Sequence, residues 1–145
     1  MFGGFIAIRS VFLVLLVSSS VCATDNKPAV VDDQAYTHAQ RLVDIDHGRR
    51  LNLYCVGKGS PTVVFDAGLG GSTTSWDLVQ PVIALKTRAC SYDRAGLGFS
   101  DPSNRPSTSA NIVDDLHRLL VAASIKPPYI LVGHSSGGMN VKLYA

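Results

Sequence analysis

The stretch YILVGHSSGGMN, residues 129–140, decides the fold. A short apolar and aromatic run leads into glycines and serines, and a helix-like pattern follows. Between the two, residues 133–137 have the spacing G-x-S-x-G. A hydroxyl on so sharp a turn needs a strained backbone, and Gly133 and Gly137 remove Cβ atoms that would collide there. The pattern predicts Ser135 as a nucleophile at a helix start, where free N–H groups favour negative charge.

Two other glycine-rich sites do not fit this chain. A phosphate-binding loop needs G-x-x-x-x-G-K-[ST], and Gly138 is followed by Met139 instead of lysine. A dinucleotide-binding turn needs G-x-G-x-x-G, and GLGGST, residues 68–73, ends in threonine at the third glycine position. A catalytic turn between strand and helix therefore remains the prediction for residues 133–137.

Three continuous apolar runs predict strands that are covered on both faces, as in parallel sheets. These runs are TVVF, CSY and YILVG, at residues 62–65, 90–92 and 129–133. Upstream, residues 41–59 alternate with period two around His47-Gly48, which predicts an antiparallel hairpin.

Helix-like segments separate the apolar runs. WDLVQPVIAL, residues 76–85, is the first. NIVDDLHRLLVAASI, residues 111–125, is the second, with Thr108 or Ser109 as its cap and the KPP of residues 126–128 as its stop. This order of elements predicts an α/β domain with right-handed crossovers.

The composition limits the number of domains and the class of partner. At 145 residues, 46% hydrophobic and 17% charged, the chain has enough apolar groups for one modest folded domain. The formal charge is only +2 and there is no basic run interleaved with aromatic residues, so we expect no nucleic-acid partner. Every acidic residue is an aspartate, so the chain offers no glutamate for catalysis.

The first 23 residues have the pattern of a cleaved signal peptide. An apolar run from Val11 to Val17 ends in small residues, with Val21 and Ala23 at the spacing that signal peptidase reads. A membrane-spanning helix needs roughly 20 apolar residues, and Arg9 interrupts the stretch. We therefore expect export to the periplasm or the cell exterior; an uncleaved leader that anchors the chain in the membrane is the alternative.

After the leader, residues 24–39 are polar and without period, which predicts a flexible lead-in to a domain at residues 40–145. Cys55 and Cys90 would remain in the exported chain, where a disulfide is allowed, although two buried free thiols would fit equally well. No CxxC or Cys/His ligand spacing is present, so we expect neither a metal nor another cofactor.

Three motifs, in their order, resemble the α/β-hydrolase family, which includes serine esterases, lipases and aminopeptidase-like enzymes. They are FDAGLGGSTTSW, YDRAGLGFSD and GHSSGG, at residues 65–76, 92–101 and 133–138. The resemblance implies an α/β-hydrolase fold over residues 41–145, with Ser135 as nucleophile. It also implies an oxyanion hole formed by the backbone N–H groups of Leu69 and Ser136. The chain departs from many members at Ala67, where they have histidine.

The same resemblance has implications for three further features. Cys55 and Cys90 would lie on neighbouring strands of the family's sheet, which favours a disulfide between them. Asp93 and Arg94 would pair and fix the loop beside the site. Asp93 is not expected to be the catalytic acid, because the family's acid follows the serine along the chain.

In that family the acid and then the histidine follow the nucleophile. The ten residues after Ser135 contain no aspartate, glutamate or histidine. None of the histidines upstream is expected to be the base; they are His38, His47, His117 and His134.

We therefore expect the amino-terminal half of a secreted serine hydrolase, truncated just after the nucleophile turn and acting on a small ester or amide. A catalytically inactive binding or interaction domain on the same scaffold is the alternative. If this chain is made alone, the YILVG strand would be an exposed sheet edge.

Overall fold

The computed structural model describes residues 33–145. The predicted signal peptide, residues 1–23, and most of the predicted flexible lead-in lie outside this range. The described end of the lead-in begins with a 3-10 helix, Asp33–Tyr36. Ala35 and Tyr36 are buried, and the Tyr36 ring meets the Tyr54 ring edge-on with centroids 5.2 Å apart. This turn therefore packs on the domain. No helix in residues 33–145 is long and apolar enough to cross a membrane.

Five strands in the described residues form one sheet, in the order β1-β2-β4-β3-β5. The strands are β1 Leu42–Asp46, β2 Arg49–Val56, β3 Thr62–Asp66, β4 Ala89–Tyr92 and β5 Tyr129–Gly133. The α-helices are α1 Gln80–Ala84, α2 Ser109–Ala122 and α3 Ser136–Tyr144, and a 3-10 helix, Thr73–Trp76, precedes α1. β2 pairs antiparallel with β1 and β4, and β3 pairs parallel with β4 and β5. The predicted α/β fold, an antiparallel hairpin followed by parallel strands, is confirmed.

Strand β3 is the centre of the domain, and all five of its residues are buried. Because alternate residues of a strand face opposite sides, Val64 joins the core that contains Leu119 and Leu120 of α2. Phe65 faces the other core, where its ring lies 4.8 Å from that of Trp76. Packing on both faces fixes the carboxyl end of β3, where the candidate site begins.

Strand β5 differs from the prediction that it is covered on both faces. Its residues are half-buried or exposed, and Ile130 keeps 48% of its surface accessible. The reason is its position: β5 pairs with β3 on one side and lies at the edge of the described sheet. Continuous apolar composition therefore indicated the parallel pairing correctly but not the burial.

Both crossover helices are shorter than predicted. Helix α2 begins after Thr108, whose hydroxyl accepts from the N–H of Asn111 at 3.3 Å, and so the cap is Thr108 rather than Ser109. It ends at Ala122, before the KPP segment, and Ser124 has a left-handed φ of 60°.

Helix α1 covers only Gln80–Ala84 of the predicted residues 76–85. Its start is fixed by Pro81, which has no N–H to donate and suits a first helical turn.

A tight turn joins β1 to β2. His47 and Gly48 have φ values of 46° and 93°, as a two-residue hairpin turn requires.

The register between β2 and β4 brings two cysteines together. Cys55 lies directly opposite Cys90 on β4, and a disulfide joins them with Cα atoms 4.1 Å apart. The disulfide closes a loop between residues that are 35 positions apart, and closing such a loop stabilises a fold by about 4 kcal/mol in the chain-entropy estimate.

Candidate active site

Ser135 occupies the turn between β5 and α3. Its φ of 53° and ψ of −120° lie outside the regions that residues with a Cβ normally adopt. Its side chain is exposed, and its hydroxyl makes no hydrogen bond with any residue from 33 to 145. A backbone held in this conformation costs about 1–3 kcal/mol and is typical of functional turns.

The two glycines that flank Ser135 are required by close packing. A Cβ on Gly137 would lie 2.2 Å from the carbonyl oxygen of Asp66, at the end of β3. A Cβ on Gly133 would lie 2.4 Å from the carbonyl oxygen of Gly137. Neither contact is tolerable, so the turn can press against the sheet only with glycine at both positions.

The loop after β3, residues 67–72, lies beside this turn. A Cβ on Gly68 would be 3.4 Å from the Cβ of Ser135 and 3.0 Å from Nδ1 of His134. The N–H groups of Leu69 and Ser136 donate to no acceptor in the described part of the chain. The loop that carries the free N–H of Leu69 therefore lies next to Ser135, and the following residue, Ser136, carries the second free N–H. Two such donors can bind an oxygen that becomes negatively charged.

A buried polar network lies behind the loop, and it was not predicted. The carboxylate of Asp66 accepts from Tyr92 Oη at 3.0 Å, from Asn140 Nδ2 at 2.9 Å and from Arg94 Nη1 at 3.2 Å. Arg94 also donates to the carbonyl oxygens of Ala67, at 2.9 Å, and Gly68. All four network side chains are buried. The one sequence signal was an aspartate placed directly after the TVVF run, at the end of β3.

Arg94 pairs with Asp66, so the predicted pairing of Asp93 with Arg94 is wrong. The Asp93 carboxylate instead accepts from the N–H of Thr73 at 2.7 Å, from Asn52 Nδ2 at 2.9 Å and from the N–H of Phe99 at 3.0 Å. The two residues directly follow β4, and their side chains bind different partners. Asp93 therefore binds the 3-10 helix before α1, while Arg94 binds the loop.

Burial raises the pKa of Asp66 above its ordinary value. The hydrogen bond from Asn140, the charge of Arg94 and the hydrogen bond from Tyr92 each lower the pKa, but their effect is smaller. The pKa of Tyr92 is raised well above its ordinary value, first by burial and then by the neighbouring carboxylate. The Tyr92 hydroxyl therefore acts as a donor to Asp66.

A cleft of about 720 Å³ opens next to the turn. Leu69 and Ser136 line it together with apolar side chains of the 94–107 loop and of the two long helices, such as Leu97, Ile112 and Met139. The Ser136 hydroxyl is buried and has no partner among the described residues. Both candidate oxyanion residues thus border one cavity that is large enough for a small organic molecule.

The histidines do not reach the candidate nucleophile. His134 lies against Gly68, His117 lies 3.4 Å from the Tyr144 hydroxyl, and the His47 ring is exposed beside Asp46. His38 contacts the Gln40 side chain. Residues 33–145 also contain no cluster of three or more histidine, cysteine or acidic residues that could hold a metal ion.

The chain is similar in sequence to one protein family and to individual proteins. The sequence model of the alpha/beta hydrolase family matches residues 63–145. YqjL, an uncharacterised protein of Bacillus subtilis, is 39% identical over 89 residues, which are 61% of this chain and 35% of YqjL.

Two solved structures share the fold. A bromoperoxidase from Bacillus anthracis has a TM-score of 0.63 at 28% identity. A meta-cleavage product hydrolase from Pseudomonas fluorescens has a TM-score of 0.63 at 27% identity. Each match covers 72% of this chain and 38% of the other chain. The chain thus spans less than half the length of each of these relatives.

Proposed function

This chain belongs to the alpha/beta hydrolase family, and from that premise we propose that it carries the nucleophile and the oxyanion hole of a secreted serine hydrolase. Ser135 would be the nucleophile, and the backbone N–H groups of Leu69 and Ser136 would bind the oxyanion. The observation that carries this proposal is the backbone of Ser135, whose φ of 53° projects a hydroxyl with no partner in the described residues. A turn that served only to connect β5 to α3 would not need this strain.

The chemistry would be acyl transfer from a small ester or amide. The Ser135 oxygen attacks the substrate's carbonyl carbon, and a base takes the hydroxyl proton. The carbonyl oxygen becomes an oxyanion that accepts from the two N–H groups, each worth about 3 kcal/mol of barrier. Collapse of this intermediate expels the alcohol or amine, which takes up the proton, and water then hydrolyses the acyl-serine.

The base and its acidic partner would come from outside these 145 residues. The ten residues after Ser135 carry no acidic side chain and no histidine, and none of the described histidines is hydrogen-bonded to the Ser135 hydroxyl. The substrate would occupy the cleft beside Leu69 and Ser136. Ser135 also argues against dehalogenase chemistry on this fold, which would use an aspartate at that position.

A fluorophosphonate probe tests the assignment, because it bonds to an activated serine oxygen. We expect slow labelling of this chain at neutral pH, where no base is present, and faster labelling in alkaline buffer. Peptide mapping should place the phosphonate on Ser135, and Ser135→Ala should abolish it, whereas Ser60→Ala, at an exposed serine outside the cleft, serves as the matched control. Labelling spread evenly over the exposed serines would refute the nucleophile. Rapid labelling at neutral pH would refute the missing base.

The alternative is an inactive binding domain that keeps the turn as a scaffold. It is favoured by one observation, that none of the described histidines is hydrogen-bonded to the Ser135 hydroxyl as a general base would be. Cooperative unfolding together with indifference of Ser135 to the probe at every pH would select this alternative.

Export forms a separate part of the proposal and rests on the leader pattern of residues 1–23. Mass spectrometry of the protein's amino terminus tests it. A terminus at Thr24 in the periplasm or the medium is expected. A membrane-bound chain that retains the leader would replace export by anchoring.

A further inference from the structure

The carboxylate of Asp66 is linked through its hydrogen-bond partners to both segments that carry the candidate oxyanion donors. Arg94 connects it to the loop that carries Leu69, and Asn140 connects it to the helix that begins with Ser136. Tyr92 donates to the same carboxylate oxygen as Asn140 and holds its orientation. The carboxylate itself is buried and does not line the cleft.

We propose that Asp66 is a positioning residue that sets both oxyanion donors in place. The inference rests on the proposed function of Ser135, and it adds a residue outside the three motif positions assigned to the chemistry. Asp66 would act through Arg94 and Asn140 and would not touch the substrate.

The geometry of the peptide bond explains how Arg94 orients the Leu69 donor. The carbonyl of Gly68 and the N–H of Leu69 belong to one planar trans peptide unit, so they point in opposite directions. The Arg94 guanidinium draws the Gly68 carbonyl into the buried network. The Leu69 N–H is thereby turned away from the network. A rigid, planar guanidinium that also binds the Ala67 carbonyl allows the peptide little rotation.

Asp66 is what keeps Arg94 in this position. Arg94 is 7% exposed, and a guanidinium that is buried without a counter-charge is strongly unfavourable. The second link, to Asn140, anchors the residue one helical turn after Ser136 to the end of β3. One carboxylate thus fixes the distance between the two donors that must bind the same oxygen.

The test compares Asp66→Asn with Asp101→Asn, which removes a carboxylate from an arginine pair outside the network. Amide hydrogen exchange measures the loop directly through the N–H of Gly71, which donates to the Gly68 carbonyl at 3.0 Å. In Asp66→Asn we expect this N–H to exchange about tenfold faster, since one charged hydrogen bond is lost. The N–H of Val63, in the core of β3, should keep its rate. Asp101→Asn should change neither.

The second readout is the rate at which the fluorophosphonate labels Ser135. We expect Asp66→Asn to slow this labelling about tenfold, with Ser135 still the labelled residue. The reason is that one oxyanion donor is weakened by about the free energy of a single hydrogen bond. Arg94→Lys keeps the charge but loses the planar fork, so it should show the same loosening of Gly71 even if Asp66→Asn does not fold.

The outcomes separate the two proposals. An unchanged Gly71 exchange rate, or equal acceleration of Gly71 and Val63, overturns the positioning role, because the second result means a general loss of stability. Local loosening with an unaltered labelling rate of Ser135 overturns it too. If Gly71 alone exchanges faster in Asp66→Asn but Ser135 of the wild type is never labelled, Asp66 still organises the loop and the assignment of Ser135 as nucleophile is rejected.

Discussion

Two turns meet at the carboxyl ends of neighbouring parallel strands, and the chain fixes them by opposite means. The turn after β5 is held by the absence of side chains, because Gly133 and Gly137 let backbone pack on backbone. The loop after β3 is held by the presence of side chains, namely the Arg94 guanidinium and the Asp66 carboxylate. Close backbone packing leaves Ser135 in a strained conformation, whereas the loop depends on a buried pair of charged side chains. Each should therefore fail in its own way when it is changed.

The loop should be the more sensitive of the two to a lost side chain. Arg94→Met removes the partner of a buried carboxylate and should lower the free energy of unfolding by about 4 kcal/mol. Urea denaturation measures this loss. The exposed arginine of the Arg50–Asp101 pair provides the control, and Arg50→Met should change stability little. Equal effects of the two variants would show that the buried network does not hold the loop.

The turn should be sensitive to an added side chain. Gly137→Ala puts a Cβ 2.2 Å from the Asp66 carbonyl and should cost about 3 kcal/mol, at the upper end of overpacking effects. Gly138→Ala is the matched control, since its nearest contact would be 3.9 Å away. Alanine in that helix should stabilise by up to about 1 kcal/mol. Similar stabilities for the two variants would contradict backbone packing at Gly137.

Relieving the strain at Ser135 should stabilise the chain. Glycine adopts a φ of 53° without strain, so Ser135→Gly should raise the free energy of unfolding by about 1 kcal/mol. Ser135→Ala keeps the Cβ and should leave stability nearly unchanged. Thermal denaturation of the three proteins measures both effects. A less stable Ser135→Gly protein would mean that the turn is not strained.

The smallest effect should appear in the pH dependence of stability. Burial raises the folded-state pKa of Asp66, so the folded protein binds this proton more tightly than the unfolded chain does. The Asp66 contribution to stability is therefore present at acidic pH and is lost as the pH rises through the folded pKa. Relative to Asp66→Asn, the wild type should lose stability over that interval.

Asp101 provides a control with the opposite sign. Hydrogen bonds from Arg50 lower its pKa, so its contribution is present above the unfolded pKa and is lost as the pH falls. Urea denaturation at several pH values from acidic to neutral measures both differences. Parallel slopes for the two variants would contradict the burial of the Asp66 charge.

The sequence predicted the turn well and the network not at all. Ser135 and its glycines are local, so one short motif contains the spacing that the turn requires. Asp66, Arg94 and Asn140 lie far apart along the chain and meet only after three strands have paired, so no local pattern could connect them. The pairing of Asp93 with Arg94 was wrong for the same reason, because nearness in sequence was taken for contact. Burial of β5 was overestimated from its composition, which does not reveal whether a strand lies at an edge, although the strand had been expected to form an exposed edge in this chain made alone.

The most direct test of the central claim is a crystal structure of this chain after Ser135 has reacted with the fluorophosphonate. We expect the phosphoryl oxygen to lie about 2.7–3.1 Å from the backbone nitrogens of both Leu69 and Ser136, as a bound oxyanion would. A phosphoryl oxygen that points to solvent, with neither nitrogen within hydrogen-bonding distance, would contradict the assignment of these two donors.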